Sequence, residues 1–140
     1  MPYRQLIETL YIGPQVTESD IAQAAEDGIR TIINVRPDGE KADAMTATEA
    51  RAIAEARGLA YHHLPVSPTS ITDEDVADFM QLLDGAEGPV LSHCGSGLRA
   101  TVLWALGNVR ELGVEAVVSK AADAGVDLGK LLPRLQQTTA

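Results

Sequence analysis

The chain has 140 residues, 45% of them hydrophobic, which is enough for the core of one domain. Its net charge of −9 and sequence pI of about 4.6 exclude a broad nucleic-acid surface and oppose docking on anionic membranes. An anionic substrate then needs a site that builds its own local positive field.

No apolar run approaches the length of a membrane span, and MPYRQLIETLYIGPQ lacks the hydrophobic core of a signal peptide. The lone cysteine, Cys94, has no partner for an intramolecular disulfide and no internal resolving thiol. The cytoplasm is therefore the expected compartment, and an outside molecule must discharge any adduct on Cys94.

In chain order, LYIG (Leu10 to Gly13) reads as a short strand ended by Gly13-Pro14. TESDIAQAAEDG follows as a helix, with Thr17 as N-cap, Asp20 three residues on and Gly28 at its end. RTIINV (Arg30 to Val35) is a β-branched, buried strand, and RPDGE is a turn. TATEARAIAEARG opens on the capping box Thr46/Glu49 and closes at Gly58. LAYHHLPV is a strand and SPTSI a loop. TDEDVADFMQLLDG is a helix capped by Thr72 with Asp75, its acidic start reading as a solvated end. GPVLSHC is a strand with Pro89 at its start, and LRATVLWALGNVREL is a helix ending at Gly113. Leu103, Trp104 and Leu106 mark the buried side of that helix. EAVVSKAADAG and GKLLPRL read as two further short helices, and QQTTA as a frayed tail. Alternating helices and apolar strands imply an α/β fold, a mainly parallel central sheet flanked by helices, in one domain over residues 1–140.

In such folds ligands sit beyond the carboxyl ends of the strands, and there the chain reads VLSHCGSGLRA, Val90 to Ala100. Gly95 and Gly97 permit backbone angles that turn successive N–H groups inward as an anion nest. The helix starting near Leu98 aims its positive end at the same point, and Arg99 adds a two-pronged cationic donor. This surrounding favours the thiolate of Cys94 and would hold it against a bound oxyanion. The alternative is a small apolar cysteine beside a glycine turn. Strand, Cys, glycines, Arg and helix start nonetheless follow in the order that nucleophilic chemistry needs. Ser96 lies inside the nest, donating to the anion or to the loop backbone.

His-Cys before a Gly-rich loop and Arg resembles the protein tyrosine and dual-specificity phosphatases. The segments ETLYIGPQVTESDI, GIRTIINVRPDGE, HLPVSPTSIT, GPVLSHCGSGLRATVLWAL and AADAGVDLGKLLPRL together resemble one bacterial family. It is the phosphatase-like domain of the beta-lactamase-hydrolase-like proteins, over about residues 3 to 135. The resemblance implies a dual-specificity-phosphatase-like fold, an active Cys94, and a His93 that shapes the loop through backbone hydrogen bonds. A fused dioxygenase or hydrolase would have to be a separate chain.

The reaction stays open between two chemistries. Phosphatase loops place five residues between Cys and Arg; here there are four, Gly95, Ser96, Gly97 and Leu98. CGSGLR fits the C-x-x-G-x-R form of single-domain rhodaneses, which carry sulfur as a cysteine persulfide. A shorter, tighter nest suits a persulfide better than a phosphoryl group. Phosphatases also place Ser or Thr directly after the Arg, where this chain has Ala100 and then Thr101. They take a general acid from a loop matching LPVSPTS (Leu64 to Ser70), which has no carboxylate. Asp73 is the nearest acid, with helix capping as its alternative role.

The sequence reading therefore expects a sulfur transferase first, passing sulfur from thiosulfate or a persulfide through Cys94 to an external thiol or cyanide. A phosphatase acting on a phosphate ester through a cysteinyl-phosphate comes second, and a non-catalytic anion-binding or redox- and sulfide-sensing module third. Arg36, at a strand end that should lie near Cys94, is a possible substrate contact, while Asp38-Gly39 form a turn. His62 and His63 alternate across a strand and cannot readily share a metal. No metal, cofactor, nucleic acid or membrane partner is expected.

Overall fold

The computed structural model of the chain describes residues 3–42 and 44–139. A five-stranded sheet runs in the order β1-β2-β5-β3-β4, with β1 Arg4–Ile7, β2 Leu10–Gly13, β3 Thr31–Asn34, β4 Ala60–His63 and β5 Val90–His93. The last four strands are parallel, and β1 pairs antiparallel with β2 at one edge. The expected mainly parallel α/β architecture is observed, with one strand more than the sequence reading found. Arg4–Ile7 carries no apolar alternation, and within it only Leu6 is buried. It is held by pairing with β2 rather than by its own pattern.

The helices are α1 Glu18–Glu26, α2 Ala47–Ala56, α3 Asp73–Gly85, α4 Leu98–Leu112, α5 Val114–Asp123 and α6 Leu132–Thr139. A 3-10 turn at Gly129–Leu131 leads into α6. The capping boxes of α1, α2 and α3 form as read, Thr17 with Asp20, Thr46 with Glu49, and Thr72 with Asp75. The tail differs from expectation. It is helical to Thr139 because Leu135 is buried and Arg110 Nε donates to the Thr138 carbonyl at 2.9 Å.

Alternation along the strands divides the core in two. Ile33, Val35, Leu10, Ile12 and Val90 face a layer that includes Phe79, Leu103, Trp104 and Leu135. Ile32, Leu91 and Tyr61 face Ile21, Ala24, Ala50 and Ala54 of α1 and α2. Helix α4 is buried continuously from Arg99 to Leu106, so its apolar stripe is nearly a full circumference. Leu103, Trp104 and Leu106 are buried as read. No helix of the described residues is long and apolar enough to cross a membrane.

Register fixes where the loops meet. Gly13 aligns with His93, His93 with Asn34, and Asn34 with His63, one row across the carboxyl ends of four parallel strands. Gln15, Arg36, Val66 and Cys94 each lie within three residues beyond that row, so one edge of the sheet gathers them.

Candidate active site

The loop from Cys94 to Arg99 joins β5 to α4. Its start is tied to β2, since Cys94 N donates to the Gly13 carbonyl at 3.3 Å. Gly97 is the N-cap of α4 with φ +93°, and its N–H donates to Cys94 Sγ at 3.0 Å. That angle requires glycine. Gly95, Ser96 and Arg99 donate no main-chain hydrogen bond within the described residues, and their N–H groups are the donors that an anion could collect. Leu98 N donates to the Ser96 hydroxyl at 3.4 Å, a contact within the loop backbone. Ala100 is buried, and Thr101 donates its hydroxyl to the Gly97 carbonyl at 2.8 Å, so Thr101 braces the loop.

Arg99 is oriented by partners distant in sequence. Its Nη1 donates to Glu40 Oε2 at 2.9 Å and to the Val66 carbonyl at 3.0 Å, and its Nη2 donates to Glu40 Oε1 at 2.6 Å. A guanidinium has five N–H donors. Among the described residues, those not committed are Nε–H and one Nη2–H, which share one edge of the plane and form a complete fork. A methyl placed on Gly95 would lie 3.4 Å from Arg99 Nη2 and 3.6 Å from Arg36 Cζ. Both cations therefore abut the loop.

Arg36 donates from Nε to Glu40 Oε1 at 2.8 Å and from Nη1 to Gln15 Oε1 at 3.1 Å. Its backbone is pinned at both ends. Arg36 N donates to Asn34 Oδ1 at 2.8 Å, and His63 Nε2 donates to the Arg36 carbonyl at 2.8 Å. Asp38 Oδ1 accepts from Ala47 N at 2.8 Å, so the turn residue also caps α2. Glu40 thus bridges two arginines. Their hydrogen bonds, Arg99's foremost, hold its carboxyl below the usual carboxylate range against the opposing effect of burial. Glu40 escaped the sequence reading because its principal partner lies far along the chain. The available signal was a carboxylate four residues after Arg36, across a tight turn beyond a strand end.

His93 is fully buried and neither ring nitrogen has a hydrogen-bond partner among the described residues. Burial pushes its pKa down to about 4, with the nearby Cys94 main chain opposing weakly, so it is neutral at pH 7. The ring lies beside the Cys94 main chain, where the loop begins, without a hydrogen bond of full geometry. Asp73 is fully exposed in the first turn of α3, and its carboxylate accepts from Arg134 at 3.2 Å. It lines a cleft with Thr72, Arg110 and Arg134 that includes no residue of the Cys94 loop. No geometry supports an acid role there. The Leu64–Ser70 segment supplies the Val66 carbonyl that grips Arg99, and it contains no carboxylate.

Two cavities flank the loop. One of about 550 Å³ opens beside Gly95, lined by Gln15, Val16, Thr17, Arg36, Lys41 and Met45 among others. The other, about 240 Å³, lies on the Ser96–Gly97 side against Arg4, Ile12 and Val126. The larger mixes cationic and apolar walls, as a pocket for the organic part of an anion would.

The family described as "Beta-lactamase hydrolase-like protein, phosphatase-like domain" matches residues 2–111. A beta-lactamase hydrolase-like protein of Xylella fastidiosa strain 9a5c is 37% identical over 132 residues, which is 93% of this chain and 31% of the relative. The chain therefore spans about a third of the length of the curated relatives it matches. A crystal structure of a candidate phosphatase from Neisseria meningitidis Z2491 superposes with TM-score 0.91 at 37% identity, covering 99% of each chain. TpbA of P. aeruginosa, in complex with pTyr, superposes with TM-score 0.67 at 18% identity over 99% of this chain and 90% of that one. The fold is that of the protein-tyrosine and dual-specificity phosphatases. With the family description covering most of its length, the chain belongs to the phosphatase-like domain family of the beta-lactamase hydrolase-like proteins.

Proposed function

We propose that the chain is a cysteine-dependent phosphatase that hydrolyses a phosphate monoester through a cysteinyl-phosphate on Cys94. The observation that carries this reading is the uncommitted fork of Arg99, beside the N–H groups of a loop whose sulfur is oriented by Gly97. The Cys94 thiolate attacks phosphorus. The S–P bond forms as the P–O bond to the ester breaks, and the electron pair leaves on the ester oxygen. Water then attacks the cysteinyl-phosphate, releasing inorganic phosphate and restoring the thiolate. Loop N–H groups and Arg99 bind the non-bridging oxygens, whose charge is shared in the transition state. The organic group enters the cavity beside Gly95, whose lining carries Arg36 and Lys41 against the single carboxylate of Glu18. A reducing compartment such as the cytoplasm suits an unpaired cysteine nucleophile.

Kinship to proteins described as phosphatases favours this chemistry over the sulfur transfer expected from loop spacing, which draws no support from the relatives. Sulfur transfer remains the second reading, favoured by the four-residue spacing and by the lack of a carboxylate in Leu64–Ser70. One paired assay separates them. Release of p-nitrophenol from its phosphate ester, lost in Cys94→Ser, supports the phosphatase. No release, with thiosulfate adding the mass of one sulfur atom that cyanide removes, supports the transferase. A reactive Cys94 with neither outcome leaves a sensing module.

A further inference from the structure

Glu40 occupies one edge of the guanidinium that the proposed chemistry requires, and two roles with opposite consequences follow. As a plug, its carboxylate would stand where a substrate anion must bind and would have to leave. As a brace, it would hold one edge of Arg99 so that the other faces the anion. The donor inventory decides between them. Glu40 takes the Nη1/Nη2 edge, Val66 takes the remaining Nη1 hydrogen, and the Nε/Nη2 edge stays whole. The Arg99 side chain is only 10% exposed, and Nη2 borders the Gly95 end of the loop. The same carboxylate also holds Arg36, whose charge would otherwise face that of Arg99.

We propose that Glu40 is a positioning residue, whose bidentate grip on Arg99, shared with Arg36, aims the Nε/Nη2 fork at the anion site of the Cys94 loop. The inference rests on that loop being an anion site, whichever group is transferred. Glu40→Gln keeps the size of the side chain but turns one acceptor into a donor facing a donor, so the bidentate grip is lost. Arg36 and Arg99 are then left with uncompensated like charge.

The test is the affinity of the full chain for inorganic phosphate, measured calorimetrically at pH 7 in the wild type, Glu40→Gln and Glu40→Asp. The brace predicts that Glu40→Gln binds phosphate at least tenfold more weakly while still folding at the assay temperature, its melting temperature in the absence of phosphate lowered only by the lost ion pairs. Glu40→Asp, which keeps the charge, recovers part of the loss. Equal or tighter binding by Glu40→Gln overturns the proposal, tighter binding being the mark of a plug. Should Glu40→Gln not fold, the wild type decides by NMR during a phosphate titration. The brace requires the Arg99 Nε–H signal to move while the Glu40 carboxyl carbon stays in place; displacement of that carboxyl overturns it. A wild type that binds no phosphate overturns both the brace and the anion site. Phosphate binding without turnover of p-nitrophenyl phosphate removes only the proposed reaction.

Discussion

The main-chain N–H of Gly97 donates to the Cys94 sulfur across 3.0 Å, and the same residue starts α4 in the left-handed region at φ +93°. A methyl at Gly97 would be strained by that angle, at a cost of about 1–2 kcal/mol. It would also lie 3.6 Å from the Gly13 backbone. Gly97→Ala should therefore lower the urea midpoint and the activity together. Gly95 has no positive φ, so Gly95→Ala should leave stability within roughly 1 kcal/mol of wild type. Its methyl enters the space between the loop and the two arginines, and activity should fall without destabilisation. Equal destabilisation by the two substitutions would contradict this division.

Arg99→Lys keeps a positive charge but cannot fill both edges of the guanidinium. Nη1 and Nη2 together hold Glu40 and Val66, while Nε and Nη2 form the free fork. An ammonium has three donors and no planar fork. The expected loss in kcat/KM for an aryl phosphate is on the order of a hundredfold or more, comparable with removing one preorganised oxyanion donor. Near-normal kcat/KM in Arg99→Lys would show that bidentate geometry contributes little.

These two arginine edges mark the boundary of what sequence reading reaches. The loop itself was legible because strand, cysteine, glycines and helix start are contiguous, and each has a local conformational meaning. The three capping boxes were legible for the same reason. Glu40 was not, since RPDGE is locally a turn and its grip on Arg99 is a tertiary contact. Strand β1 was missed because it is polar and held by its neighbour, and the helical tail because Leu135 and Arg110 secure it from elsewhere in the fold. Asp73 was nearest in sequence to the expected acid position, yet α3 begins with it and points it to Arg134.

His93 makes stability depend on pH in a defined window. Its folded pKa, about 4, lies below the ordinary histidine value of 6.5, so between these values the unfolded chain binds more protons. Stability is full above pH 6.5 and falls as pH drops toward 4, by about 3 kcal/mol at most. Glu40, whose carboxyl is also lowered, contributes stability that is present above its unfolded value of 4.5 and lost only as pH falls through the folded one. Urea unfolding at pH 7, 5.5 and 4.5 isolates the histidine. His93→Asn should lower stability at every pH through packing but flatten the slope between the first two. An unchanged slope would mean that His93 does not titrate with unfolding.

Cys94 is 0% exposed, and its sulfur accepts the Gly97 N–H of the loop. Its environment is built to admit an anion: Arg99 offers a fork, Arg36 abuts Gly95, and the Gly95, Ser96 and Arg99 N–H groups have no protein acceptor among the described residues. Small alkylating reagents read this out directly. An ordinary exposed thiolate reacts faster with neutral iodoacetamide than with iodoacetate. Here the order should invert, because the carboxylate of iodoacetate occupies the oxyanion position and carries its carbon to the sulfur. Inorganic phosphate should protect against iodoacetate, and Arg99→Lys should abolish the preference. Alkylation rates at pH 7 measure all three. Faster reaction with iodoacetamide, or no protection by phosphate, would mean that the sulfur and the anion site do not share one loop, and the buried cysteine would then be packing alone.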